Sequence, residues 1–173
     1  MRKTCLPVLA AVFAIWSAPA RSEGLELRPT VGGEVLACAD FRGIPVRTNF
    51  MAELGDVARA NYISRMPVIF LDPDRLAELP AKLQIFFYEH ECAHMVLGHY
   101  YYRTAESENE ADCWSIRALR DMGRLTRTEV ESFAPYFAQS KGSKFGHLPG
   151  PERAKRLLKC YDEREALWAE AER

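Results

Sequence analysis

Three of the chain's four histidines fall within ten residues, in the run Tyr88-Glu89-His90-Glu91-Cys92-Ala93-His94-Met95-Val96-Leu97-Gly98-His99. The centre of that run reads H-E-x-x-H. On a helix, residues four apart lie about 40° from each other and one turn up. His90 and His94 therefore present two imidazoles to one metal ion from a single face. Glu91 follows His90 by about 100°, so its carboxylate reaches a metal-bound water without taking a ligand position. That is the geometry of a zinc hydrolase whose glutamate serves as general base.

Two histidines do not complete a catalytic zinc site; three protein ligands and a water do. Downstream lies the acidic run Glu106-Ser107-Glu108-Asn109-Glu110-Ala111-Asp112-Cys113-Trp114, with Glu108 fourteen residues past the second histidine. Glu108 and Asp112 are four apart and share a helical face. Glu108 can ligate while Asp112 accepts the outer N–H of a ligating histidine, which fixes the tautomer of that ring. Glu106 and Glu110 lie on other faces and read as solvated. His99 is a rival for the third ligand. However, the metzincin pattern needs its Gly three and its His six residues after the second histidine, and Gly98 and His99 stand at four and five. Cys92 sits about 200° around the helix from His90 and belongs to packing or to a disulfide.

Taken together, His90-Glu91-x-x-His94 with His99, followed by Glu108-x-x-Ala111-Asp112, resembles the M48 family of gluzincin metallopeptidases. The segment His147-Leu148-Pro149-Gly150-Pro151-Glu152-Arg153, with Leu157 beyond it, is similar to that family's His-Pro segment. The likeness covers about residues 64–160, and its three motifs occur in the family's order. One departure is Leu148, which stands where relatives usually carry proline. The resemblance implies a zinc endopeptidase with one Zn2+ per chain, acting on the peptide bonds of exported or misfolded proteins. His90, His94 and Glu108 would be the ligands and Glu91 the general base. His147 would lie near the reacting carbonyl and Arg153 would brace the acidic side chains. One of Tyr100 to Tyr102 could help His147 stabilise an oxyanion, although the three tyrosines read more readily as helix-end packing. Two other readings use the same residues: a zinc-binding structural or regulatory module that does not cleave, and an amide or ester hydrolase acting on a non-peptide substrate.

The elements that must position these residues form an α+β pattern: a small N-terminal sheet followed by helices, as expected of a zincin-like domain. Residues 21–33 read as a loose start. Glu34 to Asn49 reads as two short strands about Gly43-Ile44-Pro45, and Glu53 to Ala60 as a short helix. Met66 to Leu71 reads as a strand that Pro67 pushes to a sheet edge, where an extended peptide could add; an ordinary core strand fits as well. Apolar residues on several sides of Lys82 to Leu97 predict a mostly buried helix that Gly98 ends. A second helix is expected over 105–122. A third, over 127–138, opens on a capping box of Thr126 and Glu129, and a last one starts at Pro151.

The gross features fit an exported protein. Arg2 and Lys3, the apolar stretch Leu6 to Trp16 and Ala18-Pro19-Ala20 make a signal peptide over residues 1–20. The apolar stretch is well short of the ~20 residues of a spanning helix, and nothing later resembles a transmembrane segment. The remaining chain, 21–173, reads as one domain. It carries 21 basic and 24 acidic residues, with no cationic excess to hold a nucleic acid. A polypeptide is the expected partner. Cys38, Cys92, Cys113 and Cys160 remain after cleavage, an even number in an oxidising compartment. Three pairings are open, as are four buried thiols; the pairing expected here is Cys38 with Cys92 and Cys113 with Cys160.

Overall fold

The chain enters through a tight hairpin. β1 (Thr30–Val31) and β2 (Glu34–Val35) pair antiparallel about Gly32-Gly33. Gly32 takes φ +57°, and a Cβ there would stand 2.2 Å from the Ala81 carbonyl oxygen, so no side chain fits. This computed structural model describes residues 25–143 and 146–163; the expected signal peptide lies outside them. The stretch expected to be loose is ordered from Leu25 onward. Glu26 and Thr48 exchange backbone hydrogen bonds of 2.8 and 2.6 Å, and Val31 is buried.

Three strands form the main sheet: β3 (Arg47–Phe50), β4 (Ala58–Ile63) and β5 (Met66–Leu71). Their order is β3-β5-β4, with β3 parallel and β4 antiparallel to β5. Two expectations are corrected here. Met66–Leu71 is the central strand, not an edge. Pro67 is tolerated because β3 begins opposite Val68, which leaves the proline paired with Tyr62 of β4 alone. The stretch read as a helix, 53–60, is instead a turn followed by the start of β4. Glu53 at φ +59° and Gly55 at φ +80° interrupt any helix, and pairing with β5 overrides the helical preference of alanine. The outer strands are therefore β3, which Glu26 covers at Thr48, and β4, which borders α2.

Short α1 (Pro73–Ala77) starts on Asp72, whose carboxylate accepts from the N–H groups of Asp74 and Arg75. Next comes α2 (Ala81–Val96), bearing the H-E-x-x-H run. Its Leu83, Ile85, Phe86, Tyr88, Cys92, Ala93 and Met95 are all buried, because the sheet covers one side and α3 (Ser107–Asp121) the other. The helix expected over 127–138 is two pieces, α4 (Arg127–Glu131) and α5 (Ala134–Phe137). The Thr126–Glu129 capping box forms as expected, and Pro135, having no N–H, prevents continuation. Last comes α6 (Gly150–Asp162), packed on α3. The fold is thus α+β, with small sheets and a helical second half. Cys38–Cys92 and Cys113–Cys160 are the disulfides, the expected pairing. Among the described residues no helix is long and apolar enough to cross a membrane.

Candidate metal centre

The one-turn spacing on α2 sets His90 Nε2 and His94 Nε2 3.1 Å apart, facing the same point. Glu108, one residue into α3, aims Oε2 at that point, 3.3 Å from each nitrogen. The three donors make a group that could hold a metal ion. A metal bonded to nitrogen and oxygen at about 2.0–2.1 Å in tetrahedral geometry needs donors about 3.3–3.4 Å apart. The triangle here has that size within a few tenths of an ångström. Both Glu108 and His90 are buried.

Glu108 is held from several directions. Arg103 Nη2 donates to Oε1 at 2.7 Å, leaving Oε2 for the histidines. His147 Nε2 lies 2.9 Å from Oε2, and its ring stacks on that of His90 with centroids 5.7 Å apart. Burial alone would raise the Glu108 pKa. Hydrogen bonds from His147, His90 and His94 outweigh it and hold the carboxyl far below the ordinary range. The N-terminal position on α3 favours the same charge.

Behind His90 the support is ionic and buried. Asp112 Oδ1 lies 2.8 Å from His90 Nδ1. Arg153, from α6, donates to both oxygens of Asp112 at 2.8 and 2.7 Å. The guanidinium in turn sits 4.9 Å from the Phe137 ring centroid. Burial works against a charged His90, but Asp112 and Glu108 reverse the sign and raise its pKa to about 9. Burial likewise opposes an ionised Asp112, and Arg153 with His90 pulls its pKa well below the usual value.

Behind His94 stands His99, with Nδ1 3.0 Å from Nδ1. Its Nε2 lies 3.1 Å from Glu110 Oε2. His99 is therefore not in the triangle, in keeping with its spacing. Glu110, expected to be only solvated, is half-exposed yet engaged. Desolvation, then the neighbouring His94, lowers the His99 pKa.

Glu91 completes the group. Its Oε2 accepts from the Ala60 N–H on β4 at 2.6 Å. The carboxylate and the outer edge of β4 thus line one cleft of about 530 Å3 with His94, Tyr100, Arg103, Glu108 and His147. Of the seven residues expected at the site, Glu91, His94, Glu108 and His147 line this cleft, while His90, Asp112 and Arg153 stand behind it in the contacts described above. Of the three tyrosines, Tyr100 reaches the cleft, Tyr101 packs against Phe41 and Tyr62, and Tyr102 is exposed. Sequence reasoning missed Arg103 and the Ala60 N–H, since neither a loop arginine nor a backbone donor carries a spacing signal. No protein-family profile matches the chain, and no curated protein or solved structure is detectably similar to it.

Proposed function

We propose that the chain is a zinc metallopeptidase of the gluzincin kind, akin in its site to the M48 family, that hydrolyses peptide bonds outside the reducing cell interior. The donor triangle of His90, His94 and Glu108, with the Glu91 carboxylate on the same cleft, carries this reading. A zinc ion held there supplies Lewis acidity and lowers the pKa of a water from about 15.7 towards 7. Glu91 takes a proton from the attacking water and delivers it to the leaving amine. The Ala60 N–H keeps that carboxylate turned into the cleft. His147 lines the same cleft and would turn its Nε2–H from Glu108 to negative charge developing on the carbonyl oxygen. With β5 central, the strand that would receive an extended peptide is β4, whose outer edge runs past Glu91 and already bonds it through the Ala60 N–H. Two disulfides suit an exported protein.

The test is cleavage of an unfolded protein by purified, oxidised chain, with and without a chelator and beside Glu91→Gln. Chelator-sensitive cleavage is expected, and the variant should lose about 10²–10⁴-fold in rate while keeping its zinc. Glu108→Ala should lose the metal. One zinc per chain with no bond cut in any condition would leave a binding module instead of an enzyme.

A further inference from the structure

The backbone at the end of α2 explains why two histidines five residues apart touch. Gly98 adopts φ +70°, and two hydrogen bonds close the helix behind it. Gly98 N–H donates to the Met95 carbonyl at 3.3 Å and His99 N–H to the His94 carbonyl at 3.0 Å. This is a Schellman motif, in which the second residue past the cap folds back over the third residue from the end. Here those two residues are His99 and His94. An apolar contact commonly fills that place, whereas this chain puts one imidazole against another.

The donors and acceptors from His94 through His99 to Glu110 then fix the ring protons of both histidines, given the metal-centre reading on which this inference rests. An imidazole that binds a metal through Nε2 carries its hydrogen on Nδ1. His94 Nδ1–H must therefore donate, and the atom 3.0 Å away is His99 Nδ1. To accept, His99 must keep its own hydrogen on Nε2, which faces the acceptor-only carboxylate of Glu110 at 3.1 Å. We infer that His99 is a positioning residue: oriented by Glu110, it accepts from His94 Nδ1–H and so holds His94 in the tautomer and ring angle that bind metal. It does for His94 what Asp112 does for His90.

Two isosteric replacements separate the two hydrogen bonds. An asparagine oxygen at position 99 stands close to where Nδ1 was, and a glutamine amide close to where Nε2 was. Zinc affinity is measured on the oxidised full chain by competition with a chromogenic chelator, alongside the visible spectrum of the Co2+-loaded protein. His99→Leu and His99→Gln should each weaken zinc binding about 10–100-fold at unchanged one-to-one stoichiometry. His99→Asn should restore most of that loss. Long-range 1H–15N correlation of the zinc-loaded protein should show His94 protonated at Nδ1. The inference is overturned if His99→Leu binds zinc as tightly as the unaltered chain, or if a well-folded His99→Asn is as weak as His99→Leu. Loss of stoichiometric binding with a changed Co2+ spectrum in His99→Leu would overturn it too, by making His99 a ligand. Unaltered zinc binding by both His90→Ala and Glu108→Ala is a different failure, that of the metal-centre reading itself.

Discussion

His90 and His94 leave one helix a turn apart and offer the same atom to the same point, yet the protein behind them is built in two ways. Behind His90 is a closed ionic stack, in which Asp112, 2% exposed at its side chain, is gripped at both oxygens by Arg153 between aromatic rings. Behind His94 is a hydrogen-bonded chain through His99 that ends on Glu110, whose side chain is 52% exposed. The first arrangement has almost no freedom and a large penalty for losing a member. The second ends in water, where a missing partner is replaced by solvent. One imidazole is anchored, and the other is guided.

The largest effect should come from opening the closed stack. Arg153→Leu leaves the Asp112 carboxylate buried without its cation, a change worth about 3–5 kcal/mol of stability, readable by urea unfolding of the oxidised protein. Asp112→Ala should in addition weaken zinc binding about 10–100-fold in the chelator competition. If Arg153→Leu proves milder than any cut on the His94 side, the contrast between the two supports is wrong.

Acid and alkali should find different sides. In the metal-free protein the His90 pKa is raised to about 9. Its contribution to stability is thus fully present below about 6.5 and is lost as pH rises through 9. His99 has the opposite sign: its pKa is lowered, so its contribution is present above about 6.5 and lost as pH falls. Thermal melts of chelator-treated protein from pH 5 to 10 should decline at both ends. Asp112→Asn should flatten the alkaline limb and His99→Asn the acid one; identical profiles for the two variants would erase the distinction.

The smallest effect belongs to the exposed end. Glu110→Gln should cost no more than about 1 kcal/mol of stability in urea. Its zinc affinity should fall by about fivefold or less, the equivalent of that energy.

The buried support was easier to read from the sequence than the guided one, for a physical reason. Asp112 follows Glu108 by four residues, and helical periodicity alone carries it to the ligand face. His99 and Glu110 meet only because Gly98 turns the chain back after α2, and a wheel drawn about the metal sees neither. The sheet shows a similar divide. Strand composition marked Met66–Leu71 but not its neighbour, because the hairpin between β4 and β5 turns on Ser64-Arg65. Both residues take positive φ, 49° and 69°, where asparagine or glycine would have announced the turn. Without that hairpin, β5 passed for an edge and the start of β4 for the end of a helix. The donor to Glu91 on β4 is a backbone N–H and has no residue type at all.

The disulfides decide how easily this centre is assembled. Cys92 lies within the histidine pair's own turn and ties α2 to Cys38, while Cys113 adjoins Asp112 and ties α3 to Cys160 on α6. Neither bond touches a metal donor. Two of the candidate donors ride on one stapled helix and the third on another, so around a metal they would form a chelate. Its grip depends on the effective concentration of the Glu108 carboxylate at the two imidazoles, which tethering raises and free motion dilutes. If the centre binds metal as proposed, a thiol reductant should act as a chelator at one remove, thinning the local supply of the third donor while leaving every candidate ligand chemically intact.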